Sequence, residues 1–143
     1  MNVIVVLIFF LGFISFSVFA KEYGNIVISE VTSIYDADTF TVNINSYPSI
    51  VGERISIRVL GVDAPEIRSK CKAENVIARQ AKQFTVEKLR SARIIELRNI
   101  QRGKYFRILA NVYIDNENLA ESLIKAGHGR EYKGGKRKGW CET

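Results

Sequence analysis

Histidine is almost missing from this chain. His128 is its single representative, which argues against catalysis by a histidine triad and leaves no histidine pair for zinc. Cysteine is nearly as scarce. Cys71 and Cys141 are the only two, too far apart for a redox C-x-x-C motif and too few for a thiolate zinc cluster. Two is, however, the count for one disulfide in an oxidising compartment. Charge is absent from residues 1–20, "MNVIVVLIFFLGFISFSVFA". The apolar run from Val3 to Phe13 has the length of a signal-peptide core, and Val18, Phe19 and Ala20 place modest side chains where a signal peptidase reads. The usual Lys or Arg at the start of such a signal is lacking. Cleavage after Ala20 is the expectation. An uncleaved membrane anchor over residues 3–19 is the alternative, although Ser15 and Ser17 make a mediocre span. Residues 21–143 then form one domain with one modest core, without repeats or a linker.

All 21 Lys and Arg and all 15 Asp and Glu lie beyond Ala20, so the formal net charge of +6 belongs to that part. The excess gathers at the end, in Lys125, Arg130, Lys133, Lys136, Arg137 and Lys138 against Glu131 and Glu142. Such a balance favours anionic partners, nucleic acid or a membrane surface.

The residues following Tyr23 are rich in Val, Ile, Thr and Phe and predict two strands, 25–34 and 38–44, around the polar turn "YDAD". "NSYPSIVGE" reads as a loop. In 53–60, Ile55, Ile57 and Val59 alternate with Arg54, Ser56 and Arg58, the signature of a third strand. From Lys72 to Leu89 the period changes. Ala73, Val76, Ile77, Gln80, Ala81, Phe84 and Lys88 recur three and four apart, predicting an amphipathic helix. Two further strands follow, 93–99 and 106–114. Asn118 then caps a second helix, with Glu121 completing a capping box, Leu119, Ala120, Leu123 and Ile124 facing inward and Gly127 as the stop. The tail "GREYKGGKRKGWCET" reads as irregular. Five strands with a helix inserted and another behind suit a small, partly open β-barrel of the oligonucleotide-binding (OB) type with packed helices.

Acids and arginines crowd the ends of these strands. Asp38 opens the second strand and Asp63 closes the third, so both carboxylates meet at one rim if the strands pair. Two hard oxygen ligands on rigid turns suit Ca²⁺ or Mg²⁺. Pro65 stiffens the turn that presents Glu66, a carboxylate able to serve as a general base. Arg58 and Arg107 carry forked donors that suit a phosphate. Singly, each residue also has an ordinary reading: a turn carboxylate for Asp38, a cap for Glu66, a surface cation for Arg107. Tyr105 is either a base-stacking platform or plain strand surface.

Together "DADTF", "RISIRVLGVDAPEIR", "GKYFRILANVY" and "NLAESLIKAGHGR" resemble the staphylococcal-nuclease (thermonuclease) family from about residue 25 to the end. The resemblance implies an OB-type barrel and Ca²⁺-dependent cleavage of DNA and RNA, breaking the 5′-side bond to leave 3′-phosphate ends. It implies Asp38 and Asp63 as metal ligands with the Ala64 carbonyl, and Asp36 as a nearby acid outside the ligand set. Arg58, Glu66 and Arg107 match the catalytic residues: a phosphate clamp, a general base and a stabiliser of the transition state. Tyr105 matches a tyrosine of the nucleotide pocket, and Tyr132 lies near a second. Lys104, Lys133 and Lys136 are expected to attract the phosphate backbone. Cys71–Cys141 is the possible disulfide, and an exported monomer the expected form. Three positions depart from the family pattern: Ala64 replaces a threonine, and Ala37 and Phe106 replace common glycines. The alternative function is an OB module that binds nucleic acid without cutting it.

Overall fold

The computed structural model describes residues 23–141; the expected export signal, residues 1–20, lies outside them. Among the described residues, no helix is long and apolar enough to cross a membrane. The first predicted strand forms as two pieces, β1 (Ile26–Val27) and β2 (Glu30–Asp36). β3 (Thr39–Asn43) and β4 (Ile55–Val59) follow, with a single helical turn, α1 (Ser49–Gly52), inside the stretch read as a loop. Pro48 starts that turn from an extended conformation, as its fixed φ allows. β5 (Gly61–Asp63) carries the chain to the acidic turn, and α2 (Lys72–Ser91) comes next. β6 (Ile95–Arg102), β7 (Ile108–Ile114), the two-residue β8 (Glu117–Asn118), α3 (Leu119–Lys125) and β9 (Arg130–Tyr132) complete the order.

The main sheet runs β1-β6-β7-β4-β3-β2, with β8 beside β7, and β5 pairs separately with β9. It curls until its two edges are served by one piece of chain. The N–H of Ile28 donates to Ile95 on the β6 side, and that of Ser29 to Asn43 on the β3 side, at 3.0 and 2.9 Å. β1 and β2 are therefore one bent strand, and with β3, β4, β6 and β7 they make the five strands expected. The pleat explains the core. Phe40 and Val42 of β3, Ile55, Ile57 and Val59 of β4, and Leu97, Ala110 and Val112 are all buried, as strict alternation on a one-sided sheet requires.

α2 has nearly the predicted length but is turned by about one residue from the predicted face. Its buried positions are Glu74, Ala78, Ala81, Thr85, Val86 and Leu89, whereas Val76 is exposed. Small Ala78 and Ala81 let the helix backbone approach the sheet, and the two polar residues on this face find specific acceptors and donors below. α3 is capped as expected, Asn118 Oδ1 accepting the N–H groups of Ala120 and Glu121 at 2.9 and 3.3 Å. Only half of the capping box forms, because Glu121 returns no bond from its carboxylate. Gly127, at φ +76°, ends the helix in the left-handed conformation that favours glycine. The tail begins with a strand rather than irregular chain. Gly129 makes this possible, since a Cβ there would lie 2.4 Å from a Val62 methyl.

Candidate active site

The two-residue turn Ala37–Asp38 joins β2 to β3 and brings Asp38 to the rim. Ala37 is fully buried and lies outside the left-handed region, so alanine causes no strain in place of the glycine common in the family. Its carbonyl accepts the Thr85 hydroxyl of α2 at 2.8 Å, which pins the turn from beneath. Thr39 stands opposite Arg58 in the β3–β4 register, so Arg58 emerges beside Asp38. Arg58 Nη1 donates to Asp38 Oδ1, and Nη2 lies 3.6 Å from Asp63 Oδ1. The remaining Asp38 oxygen accepts the Ala64 N–H at 2.9 Å. The Asp38 side chain is only 1% exposed and that of Arg58 14%, so this is a desolvated, interlocked pair. Burial, and then the neighbouring Asp38 carboxylate, push the Asp36 carboxyl up to about 7.

The acidic turn is fixed from α2 as well. The Glu66 N–H donates to Oε1 of buried Glu74 at 2.9 Å. This is the purpose of the polar residues on the inward helix face: Glu74 holds the Glu66 turn and Thr85 holds the Asp38 turn.

Arg107 arrives from a different structure. β4 and β7 are parallel neighbours with Arg58 opposite Leu109. Arg107, two residues before Leu109, is thereby directed to the same face as Arg58. The turn before it, Lys104–Arg107, holds Tyr105 and Phe106 at φ +58° and +61°. Arg107 Nε is enclosed and has no hydrogen-bond partner among the described residues. Arg58, Glu66, Arg107, Tyr132 and Lys133 line one cleft of about 720 Å³. Asp38 and Asp63 are buried and do not line it, but each is bonded to an arginine that does, Asp38 to Arg58 and Asp63 to Arg137. Lys133 pairs with Glu131 at 3.0 Å. Tyr105 is 94% exposed, and neither it, Lys104 nor Lys136 lines this cleft.

One residue that sequence reasoning treated only as tail charge belongs to the site. Arg137 donates to Asp63 through Nε and to Glu66 through Nη1, and its Nη2 reaches the Ala64 carbonyl at 3.1 Å. Partial burial opposes its charge, but the bonds to Glu66 and Asp63 outweigh this and raise its pKa. Trp140 Nε1 donates to the other Asp63 oxygen at 3.3 Å. Cys71 and Cys141 are bonded, with Cα atoms 6.0 Å apart. The signal was present in the sequence: a disulfide from Cys141 to Cys71 returns Arg137, four residues before it, to the neighbourhood of Glu66.

Among the described residues, no three His, Cys, Asp or Glu side chains stand in metal-holding geometry. The expected ligand set has two carboxylates and one backbone carbonyl, and its donors suit a hard cation. Asp63, the Ala64 carbonyl and Glu66 already converge on the positive guanidinium of Arg137.

A curled five-stranded barrel with acids and arginines gathered at one rim defines a protein of the OB-fold class. Residues 56–139 match the family model described as staphylococcal nuclease homologue, and the chain belongs to that family. Membership supports nuclease chemistry at the family level. The chain is 31% identical over 113 residues to "Endonuclease YncB" of Bacillus subtilis, covering 78% of this chain and 51% of that protein. It is 29% identical over 126 residues to "Uncharacterized protein MJ1439" of Methanocaldococcus jannaschii, covering 72% of this chain and 58% of that one. The chain thus spans little more than half the length of these relatives.

Proposed function

We propose that this protein is an exported, monomeric, Ca²⁺-dependent nuclease. It hydrolyses phosphodiester bonds of DNA and RNA with little sequence preference and leaves 3′-phosphate ends. The observation that carries this reading is the convergence on one cleft of Arg58, Glu66 and Arg107, whose Nε has no partner among the described residues, with Asp38 and Asp63 bonded to arginines that line it.

Asp38, Asp63 and the Ala64 carbonyl would hold Ca²⁺, which when bound supplies positive charge to the scissile phosphate. The chain's own residues do the rest. Arg107, on the β7 side, donates to the phosphate oxygens and meets the charge that grows on them during attack. Arg58 keeps the Asp38 carboxylate oriented and offers its exposed edge to the same phosphate. Glu66, fixed through its backbone by Glu74, takes a proton from the attacking water. Tyr132 and Lys133 border the strand's path, and the basic tail contributes attraction without reading sequence.

The test is cleavage of single-stranded DNA by the purified protein in Ca²⁺ and in EGTA, beside Glu66→Gln and Arg107→Ala. Cutting that requires Ca²⁺ and falls by about 10²-fold or more in each variant is expected. Salt-sensitive binding without cutting under any divalent ion would refute the enzyme. That second reading, a binding module, is favoured by one observation: Arg137 engages Asp63 and Glu66 together.

A further inference from the structure

The carboxyl-terminal arm is built as a closed loop over the acidic turn. β9 lies antiparallel to β5 with Arg130 opposite Asp63, so the arm starts beside the site. It is then folded back on itself. The Tyr132 hydroxyl donates to the Gly135 carbonyl at 2.7 Å, and Arg130 Nη1 donates to the Gly139 carbonyl at 2.9 Å. The Arg130 guanidinium also lies over the Trp140 ring, 3.8 Å from its centroid. The Cys71–Cys141 bond ties the far end to the residue that precedes α2. Arg137 sits within this loop with its fork directed into the site.

Its three contacts are with the Asp63 carboxylate, the Ala64 carbonyl and the Glu66 carboxylate. Two of these are oxygens assigned above to the metal, and the third belongs to the general base. We propose that Arg137 is a tethered cation that occupies the metal position in the resting protein, so that a divalent ion gains Asp63 only by displacing it. The disulfide sets how readily that happens. This rests on the reading of Asp38, Asp63 and Ala64 as the metal ligands.

The physics is competition between like charges. A guanidinium and a divalent ion at contact distance from one carboxylate repel each other, so occupation by one disfavours the other. Tethering raises the local concentration of the competing cation. With both ends of the arm fixed, by β9 and by the disulfide, Arg137 searches a small volume. Without the disulfide, the far end is held only by non-covalent contacts, those of Arg130 with Gly139 and Trp140 and of Trp140 with Asp63.

Trp140 is the only tryptophan in the chain and touches Asp63, so it serves as a built-in reporter. The experiment titrates purified, oxidised protein with Ca²⁺ by calorimetry and with Tb³⁺ by luminescence excited through tryptophan. Wild type is compared with Arg137→Gln, the Cys71→Ser/Cys141→Ser double variant and Asp63→Asn. Asp63→Asn identifies the site and should lose the binding. Arg137→Gln should bind Ca²⁺ about tenfold more tightly or better, the scale of one charge-assisted contact removed. The serine pair should shift affinity in the same direction by less, and wild-type Trp140 emission should change on Ca²⁺ addition. Unchanged or weaker affinity in Arg137→Gln overturns the proposal. The serine pair keeps the same question open if that variant folds poorly. Tighter binding in Arg137→Gln with no cleavage by any form would sink the nuclease reading and leave the tethered cation standing. Ca²⁺-dependent cleavage with unaltered affinity would do the reverse.

Discussion

Asp38 and Arg107 serve the same cleft, but the chain around them is organised in opposite ways. Around Asp38 each polar atom has a named partner: Arg58 and the Thr39 hydroxyl on one carboxylate oxygen, the Ala64 N–H on the other, and Thr85 behind the turn. These bonds are buried or partly buried and knit β2, β3, β4, β5 and α2 together. Around Arg107 the turn is exposed, two consecutive residues hold left-handed backbone without being glycine, and the enclosed Nε has no partner among the described residues. The acidic half is thus preorganised by the fold itself. The arginine half retains strain and unused donor capacity, which are available to a ligand.

The largest effect should come from breaking the acidic half. Arg58→Gln leaves the Asp38 carboxylate buried without its cation, a loss of about 3–5 kcal/mol of folding stability by urea denaturation. Arg107→Gln should lose nuclease activity by about 10²-fold or more yet unfold within about 0.5 kcal/mol of wild type. If both variants denature alike, the two halves are not held differently. Thr85→Val removes one buried bond to the Asp38 turn and should cost about 1–2 kcal/mol. Phe106→Gly should instead stabilise by about 0.5–1 kcal/mol, because glycine adopts φ near +60° without the Cβ clash. A destabilised glycine variant would show that this turn is not strained.

The smallest effect is a pH dependence away from the rim. The Asp115 carboxylate accepts the N–H groups of Arg93 and Ile94. Those bonds, the Arg93 one first, hold its carboxyl below the ordinary aspartate range. A lowered folded-state pKa adds stability above the unfolded value and loses it as pH falls through the folded value. Asp115→Ala should therefore melt below wild type at neutral pH, and the gap should close in strong acid. Paired thermal melts with an equal gap at both pH values would refute this.

The same contrast explains how much the sequence revealed. β4 was legible because each of its residues obeys one rule: apolar side chains face the core, and Ser56 and Arg58 face the other side, where Arg58 lines the cleft. The length of α2 was legible from the absence of glycine and proline. Its orientation was not, since the face that packs carries Glu74 and Thr85, whose value lies in bonds to turns distant in sequence rather than in hydrophobicity. The acid and arginine set was readable because its spacing repeats a family pattern. Arg137 was legible only through the Cys71–Cys141 pairing, because in a run of basic residues nothing local separates the one directed inward from its neighbours Lys136 and Lys138. Tyr105 shows the converse: a residue matched by pattern that the left-handed turn presents to solvent.

The bend at Ile28–Ser29 has a consequence for how this barrel comes apart. Because adjacent residues bond to opposite edges of the sheet, withdrawing that short piece of chain unzips both edges at once and bares two rows of backbone donors and acceptors. The first strand is therefore a clasp. Its closure joins residues as distant as Ile28 and Ile95, a long-range contact of the kind that slows folding. Protection of these amides from hydrogen exchange measures whether the clasp is shut.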